Sequence, residues 1–310
     1  MALPRPHGVI PAHLLPFTSD FDIDETNLRR HVRGLLAVDG LTGLTTNGHA
    51  SEVAALTADE QSRQLDIVLD EVGGKVPVYS GVYEDGSAKA AKIATRAETA
   101  GADGLLVFPS TVFDGGSQQR PEMAYAHYAT IASSTSLPII AFVYPATSPL
   151  RIETDALVRI CTEIDNVVAV KEWSNDIIAY ERNYHALKSL DKPISILSSF
   201  SRSLLASLVI GADGILSGHG SVVADLHVKL FESTRSGDLD EARRVWESIR
   251  VFGDACYADP FVDGHNRMKE ALVILGRIEE AHVRPPLQPI GEAERDLIRA
   301  AAEKAGLIRS

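Results

Sequence analysis

The stretch NVVAVKEW, residues 166–173, decides how the rest of the chain is read. Four apolar residues, Val167 to Val170, run directly into Lys171. A valine-rich run between turn-forming residues predicts a parallel strand buried on both faces. An ammonium at the end of such a run is costly to bury. A lysine held partly out of water has a lowered pKa, so more of it is the neutral amine that attacks a carbonyl. Two plainer readings compete: a lysine that snorkels to the surface, or one that pairs with Glu172. The place of this strand in the chain separates them.

Working outward, strands and amphipathic helices alternate. GVIPAHLLPF (8–17) reads as the first strand, followed by a helix with Asp24 as N-cap and Leu28, Val32, Leu35 and Leu36 on one face. LTGLTT (41–46) is the second. Behind it TADE (57–60) forms a capping box for a helix carrying Leu65, Val68, Leu69 and Val72. VPVYSGV (76–82) is the third strand, with a helix over 87–100, and GADGLLVFP (101–109) the fourth, with a helix opening near Pro121. LPIIAFVYP (137–145) is the fifth and NVVAVK the sixth. PISILSS (193–199) and GADGILSGHG (211–220) complete the set. A weak repeat, Asp39-Gly40, Asp103-Gly104 and Asp213-Gly214, marks helix-to-strand turns.

Eight short apolar strands, each followed by a helix, predict a TIM-type eight-stranded parallel β/α barrel over residues 1–237. An open doubly wound sheet would normally carry a Gly-rich nucleotide turn after its first strand, and none is present. Residues 238–310 show helices near 245–252, 268–275 and 293–305, which predicts a C-terminal helical appendage. Barrel chemistry sits at the carboxyl ends of the strands, where Lys171 ends strand six. That placement favours the carbonyl-attacking reading.

Composition narrows the function. The 310 residues carry 42 acidic and 30 basic side chains, a net charge of −12, without a basic run or basic–aromatic stripe. Nucleic acid and anionic membranes are therefore excluded as expected partners. The start MALPRPHGVI lacks the apolar core of a signal peptide, and no apolar run approaches a membrane span. Two cysteines make neither a disulfide framework nor a zinc site. Cys161 and Cys256 lie on apolar helical stripes and read as buried core thiols, which fits a reducing cytoplasm.

The loop with Gly48 and Glu52 after strand two, the aromatic strand five ending in Pro145, VVAVKE, GADGILS and the tail RPPLQPIGEAERDLIRAAAEKAGLI occur in one order and spacing. In these the chain resembles the dihydrodipicolinate synthase / N-acetylneuraminate lyase superfamily over nearly its whole length. The resemblance implies a lysine Schiff base, at Lys171, with a 2-oxo acid such as pyruvate, and a homo-oligomer, dimer or tetramer. No external cofactor is needed, because the imine supplies the electrophile.

The departures from the family pattern are specific. A loop that commonly reads Gly-Thr-Thr-Gly-Glu is here Gly48-His49-Ala50-Ser51-Glu52. The amides of His49, Ala50 and Ser51 retain the means to cradle a carboxylate, but a relay hydroxyl is lost at Ala50. The family's catalytic tyrosine aligns with Phe142. The tyrosine lent by a neighbouring subunit aligns with Thr111, and the arginine for the aldehyde substrate's carboxylate with Thr147. This predicts a divergent member rather than a lysine-biosynthetic synthase.

Strand alternation points Phe142 and Tyr144 to the same, interior side. Tyr144 is thus a candidate acid/base, against a role as a mere mouth residue. His49, in the carboxylate loop, is the other candidate. His219 is a weaker one, and His49 with His219 makes a poor metal pair because no carboxylate accompanies them. Ala50, Ser51, Phe142 and, on strand eight, Leu216 are assigned to substrate binding. Trp173, Phe200 and Phe142 suggest an apolar pocket beyond the pyruvoyl end, while Ser199, Ser201 and Ser217 offer hydroxyls that weaken that inference. The expected activity is a Schiff-base lyase, aldolase or dehydratase. The alternative is a barrel that binds a 2-oxo acid without turnover.

Overall fold

The computed structural model describes residues 3–199 and 202–308. Eight parallel strands form one sheet in the order β1-β8-β7-β6-β5-β4-β3-β2. They are β1 (Gly8–Pro11), β2 (Leu44–Thr46), β3 (Val78–Val82), β4 (Gly104–Val107), β5 (Ile139–Val143), β6 (Val167–Glu172), β7 (Ser195–Ser198) and β8 (Gly214–Ser217). Parallel bridges Val9–Leu41 and Ala12–Thr45 join β1 to the β2 segment and bring the ring together. The expected TIM-type barrel is what the chain forms.

Helices follow each strand: α1 (Glu25–Leu36), α2 (Ala58–Val72), α3 (Ser87–Ala100), α4 (Pro121–Ala132), α5 (Thr154–Glu163), α6 (Ile177–Lys188), α7 (Leu204–Ile210) and α8 (Gly220–Ser236). Behind Asp238, whose side chain caps the next helix, come α9 (Leu239–Cys256), α10 (Gly264–Ile274) and α11 (Glu292–Lys304). The sequence-level caps are present. Asp24 accepts from the Asn27 amide at 3.0 Å, and Thr57 and Glu60 exchange both bonds of the capping box.

Several paired strands are shorter than the apolar runs that announce them. Residues 14–17 remain buried, yet the chain has left the barrel ladder there. Apolar runs report burial, whereas strand assignment reports pairing, and the two part at the barrel rim. The Asp-Gly repeat also has a physical role. Asp103 accepts from the Val78 amide at 2.8 Å, and Asp213 from the Ile196 amide at 2.7 Å. Each carboxylate thereby pairs the first free N–H of the neighbouring strand.

Two cores result. One fills the space between sheet and helices, with Val9, Leu105, Ile139, Val167 and Val170; the other fills the barrel, with Ile10, Leu106, Ile140, Phe142, Leu197 and Leu216. Cys161 and Cys256 are buried free thiols, as expected. No helix among the described residues is long and apolar enough to cross a membrane.

Candidate active site

A one-residue bulge in β6 aims Lys171. Val167 pairs with Ile139 and Ala169 with Ile140, so Val168 is an extra residue between them. Strict alternation starting from the outward Val167 would turn Lys171 outward as well. The extra residue reverses the facing beyond it, so that Val170 packs outward and Lys171 enters the barrel mouth.

Lys171 is 7% exposed and lies directly across the ladder from Phe142, with Nζ 4.0 Å from the ring centroid. The ring face attracts an ammonium, but burial prevails and lowers the lysine pKa to about 7. Glu172 does not pair with it. Facing outward, its carboxylate accepts from the Ser174 amide and hydroxyl, each at 3.2 Å, and from Asn183 at 3.1 Å. Burial raises the Glu172 carboxyl to about 7. The surface and ion-pair readings of Lys171 are both excluded by this geometry.

Above the lysine lies a cavity of about 710 Å³. Tyr144 and His49 both reach it and are hydrogen-bonded to each other, phenol oxygen to Nε2. The His49 ring packs edge-on to Phe108, with centroids 4.8 Å apart, and to Tyr83, 5.6 Å apart. Burial, then the Lys171 charge, then the charge of His265, lower the His49 pKa to about 3. Burial raises that of Tyr144. Both groups are therefore neutral at physiological pH.

The loop after β2 is built for rigidity. Asn47 and Glu52 hold positive φ of 52° and 53°, and Asn47 Nδ2 donates to the Gln61 carbonyl at 3.0 Å. A Cβ at Gly81 would stand 1.9 Å from the Asn47 carbonyl oxygen, so only glycine lets β3 pass beneath this loop. Glu52 anchors the other end: it pairs with the fully buried Lys269 of α10 and accepts from the Arg284 amide at 3.1 Å. Lys269 also donates to the His282 carbonyl at 2.8 Å. The Arg284 guanidinium binds Glu60 and the Ala55 carbonyl, the latter at 2.8 Å.

The family model for the dihydrodipicolinate synthetase family matches residues 5–305. A 4-hydroxy-tetrahydrodipicolinate synthase of Methanopyrus kandleri is 30% identical over 302 residues, 97% of each chain. The chain belongs to the dihydrodipicolinate synthetase family. A dihydrodipicolinate synthase structure from Thermotoga maritima matches with a TM-score of 0.87 at 27% identity, over 97% of this chain and 99% of that one. A monomeric dihydrodipicolinate synthase variant matches with a TM-score of 0.89 at 27% identity, over 98% of both chains.

Within this dihydrodipicolinate synthetase family barrel, not every expected site residue reaches the cavity. Lys171, His49, Tyr144, Ala50 and Phe142 line it. Ser51 does not: its amide, at 3.1 Å, and its hydroxyl, at 3.0 Å, both donate to the Gly48 carbonyl. The amides of His49 and Ala50, by contrast, meet no acceptor among the described residues. Leu216 is fully buried in the barrel core instead of on the wall. His219 is likewise buried, stacked on Phe252 at 5.4 Å and edge-on to His227 at 5.7 Å. Phe200 and Ser201 lie outside the described residues. Ser199 lines the cavity, whereas Ser217 accepts from the His219 amide at 3.2 Å. Thr111 donates to Asp85 through its amide and its hydroxyl, at 2.7 and 2.6 Å. No cluster of three or more metal-ligating side chains occurs among the described residues.

Sequence reasoning missed the wall supplied from beyond β8. Tyr257 and Phe261 line the cavity from the segment joining α9 to α10, and His265 from the first turn of α10. A Cβ at Gly218 would stand 3.1 Å from His265 Nε2 and 3.2 Å from Ala50 Cβ, so glycine at the end of β8 makes room for the histidine. Burial and the Lys171 charge lower the His265 pKa to about 4. The dipeptide Gly264-His265 carries no local signal of this role, because its partners lie some 50 to 200 residues earlier.

Proposed function

We propose that the protein is a Schiff-base lyase acting on a 2-oxo acid, pyruvate or an adduct of it. The observation that carries this reading is Lys171: inward-facing, unpaired with Glu172, and with a pKa lowered to about 7. A large fraction of the side chain is then neutral amine at physiological pH. Nζ adds to the ketone, and loss of water gives the iminium. Electrons from the breaking C3–C4 bond, or from C3–H in a dehydration, flow into it. The resulting enamine is protonated, or expels the leaving hydroxide, and water releases the product from the lysine. The free amides of His49 and Ala50 bind the carboxylate. Tyr144 and His49 move the proton together: with Nδ1 protonated, His49 Nε2 takes the phenol proton as the phenol oxygen takes one from the substrate hydroxyl. Phe142 packs under the lysine, and Ser51 and Leu216 serve the site from behind by holding the loop and the barrel floor.

Membership in the family supports this chemistry, as does an intact proton-transfer pair, which a barrel that only binds its ligand has no use for. The test is borohydride reduction in the presence of pyruvate. A reduced adduct on Lys171 is expected, and Lys171→Ala abolishes both adduct and turnover. Mass spectrometry that finds no adduct, or finds it on another residue, overturns the proposal.

The finer reading is that this is a divergent member and not a lysine-biosynthetic synthase. Ala50, Thr111, Phe142 and Thr147 stand where that chemistry uses three hydroxyls and an arginine, and Thr111 is already engaged by Asp85. Pyruvate with aspartate semialdehyde is expected to give no condensation above background; an ordinary enzymatic rate refutes this. We further take residues 1–237 as the catalytic barrel and 238–310 as an extension that contributes a wall to its mouth. A cytoplasmic homo-oligomer, dimer or tetramer, completes the reading; two buried free thiols accord with a reducing compartment.

A further inference from the structure

Four aromatic rings form a continuous wall on one side of the cavity. Trp173 leans on Phe142 at a centroid distance of 5.8 Å and stacks on Phe261 at 5.9 Å and 28°. Phe261 stacks in turn on Tyr257 at 5.7 Å and 13°. Phe261 is 41% exposed, so the outer part of this wall faces solvent. The charge around the cavity tells the same story. Its charged lining residues among those described are Glu52, Lys171 and Arg284. Glu52 is paired with Lys269, and the Arg284 guanidinium is occupied by Glu60 and by the Ala55 and Phe21 carbonyls. Lys171 alone is left, and in the proposed reaction its charge, carried as the iminium, sits at the pyruvoyl end beside the first carboxylate. Burial keeps the histidines His49 and His265 neutral. A second carboxylate or a phosphate on the substrate would thus meet, among the described lining residues, no further free cation at the far end of the cavity.

We propose that the substrate is a 2-oxo acid whose far end is a neutral aryl group, packed against the cavity side of the aromatic wall that Phe142, Trp173 and Phe261 form while the pyruvoyl end reaches Lys171. This inference rests on the Schiff-base reading of Lys171. The corresponding cleavage takes a 4-aryl-4-hydroxy-2-oxobutanoate to an aryl aldehyde and pyruvate. The C4 hydroxyl proton goes to the Tyr144–His49 pair, the C3–C4 electrons enter the iminium, C3 is reprotonated, and water hydrolyses the imine. Atoms and charge balance without any further reactant. Flat rings prefer such offset stacks to water, and a neutral tail leaves no buried charge unpaired.

The test has two arms. In the first, pyruvate release is followed from 4-hydroxy-2-oxo-4-phenylbutanoate, from 4-hydroxy-2-oxopentanedioate and from a polyhydroxylated 3-deoxy-2-oxo sugar acid. The phenyl compound is expected to show a kcat/KM at least 100-fold above both others. Phe261→Ala should lower that value about 10-fold while pyruvate still forms its reducible adduct on Lys171. Equal or faster turnover of the dicarboxylate or the sugar acid overturns the proposal. The second arm does not need the imine. Calorimetry on Lys171→Ala compares 2-oxo-4-phenylbutanoate with 2-oxoglutarate, and at least 10-fold tighter binding of the phenyl compound is expected. No preference, or the reverse, overturns the aryl assignment even if the adduct forms. Absence of the adduct with a retained phenyl preference overturns the Schiff-base reading and leaves the aryl pocket standing.

Discussion

Tyr144 and His49 stand 95 positions apart and share one hydrogen bond, so in the proposed reaction neither side chain would move its proton alone. A neutral imidazole with a pKa near 3 is a poor base by itself, and a phenol with a raised pKa is a poor acid. Coupled, each compensates the other, because the proton leaving the phenol is accepted as another arrives. Tyr144→Phe and His49→Ala are therefore both expected to lower turnover by roughly 10²–10⁴-fold, with the double variant little worse than either. Imine formation with pyruvate should survive in all three. Steady-state kinetics beside borohydride trapping measures this, and a single variant that keeps most of its turnover removes the coupled pair. The sequence identified both candidates from strand alternation and loop position, but left them as alternatives. Contact between a loop after strand two and the end of strand five depends on how far the barrel brings them together, and neither stretch encodes that distance.

At the scale of elements, the barrel was legible because each strand and helix announces itself locally, through an apolar run or a capped amphipathic stretch. The bulge in β6 was not. Val167 to Val170 are all apolar, so nothing in the pattern says which of them is the extra residue, and the inward facing of Lys171 had to be argued from position alone. The tie between the β2 loop and α10 was equally hidden, since Glu52 and Lys269 are 217 positions apart. That tie yields a prediction. Glu52→Gln leaves a fully buried ammonium without its carboxylate and is expected to cost about 3–5 kcal/mol. Lys269→Met added to it removes the stranded charge and should recover a large part of the loss. Denaturant unfolding of the single and double variants decides it: additive losses would mean that the pair is not coupled.

For the whole molecule, the buried Lys171 is a standing cost to the fold. Its pKa of about 7, against an ordinary 10.5, corresponds to roughly 5 kcal/mol of disfavoured protonation. Below about 7 the folded protein carries the buried ammonium and the penalty is full. Between about 7 and 10.5 the unfolded chain still binds this proton while the folded one has released it, so stability from this group rises with pH. Above the ordinary value the penalty is gone. Lys171→Met keeps much of the stem's packing volume and deletes the charge, and such replacements commonly gain about 1–4 kcal/mol. The variant is accordingly expected to be inactive and more stable, by about 3 kcal/mol at pH 6 and by distinctly less at pH 9.5. Glu172 titrates in both proteins and cancels from the difference. Denaturant midpoints of the two proteins at the two pH values provide the measurement. A variant less stable than the parent at pH 6, or a gain that does not shrink as pH rises, would show that the barrel accommodates the ammonium without strain and that Lys171 is not held neutral by burial.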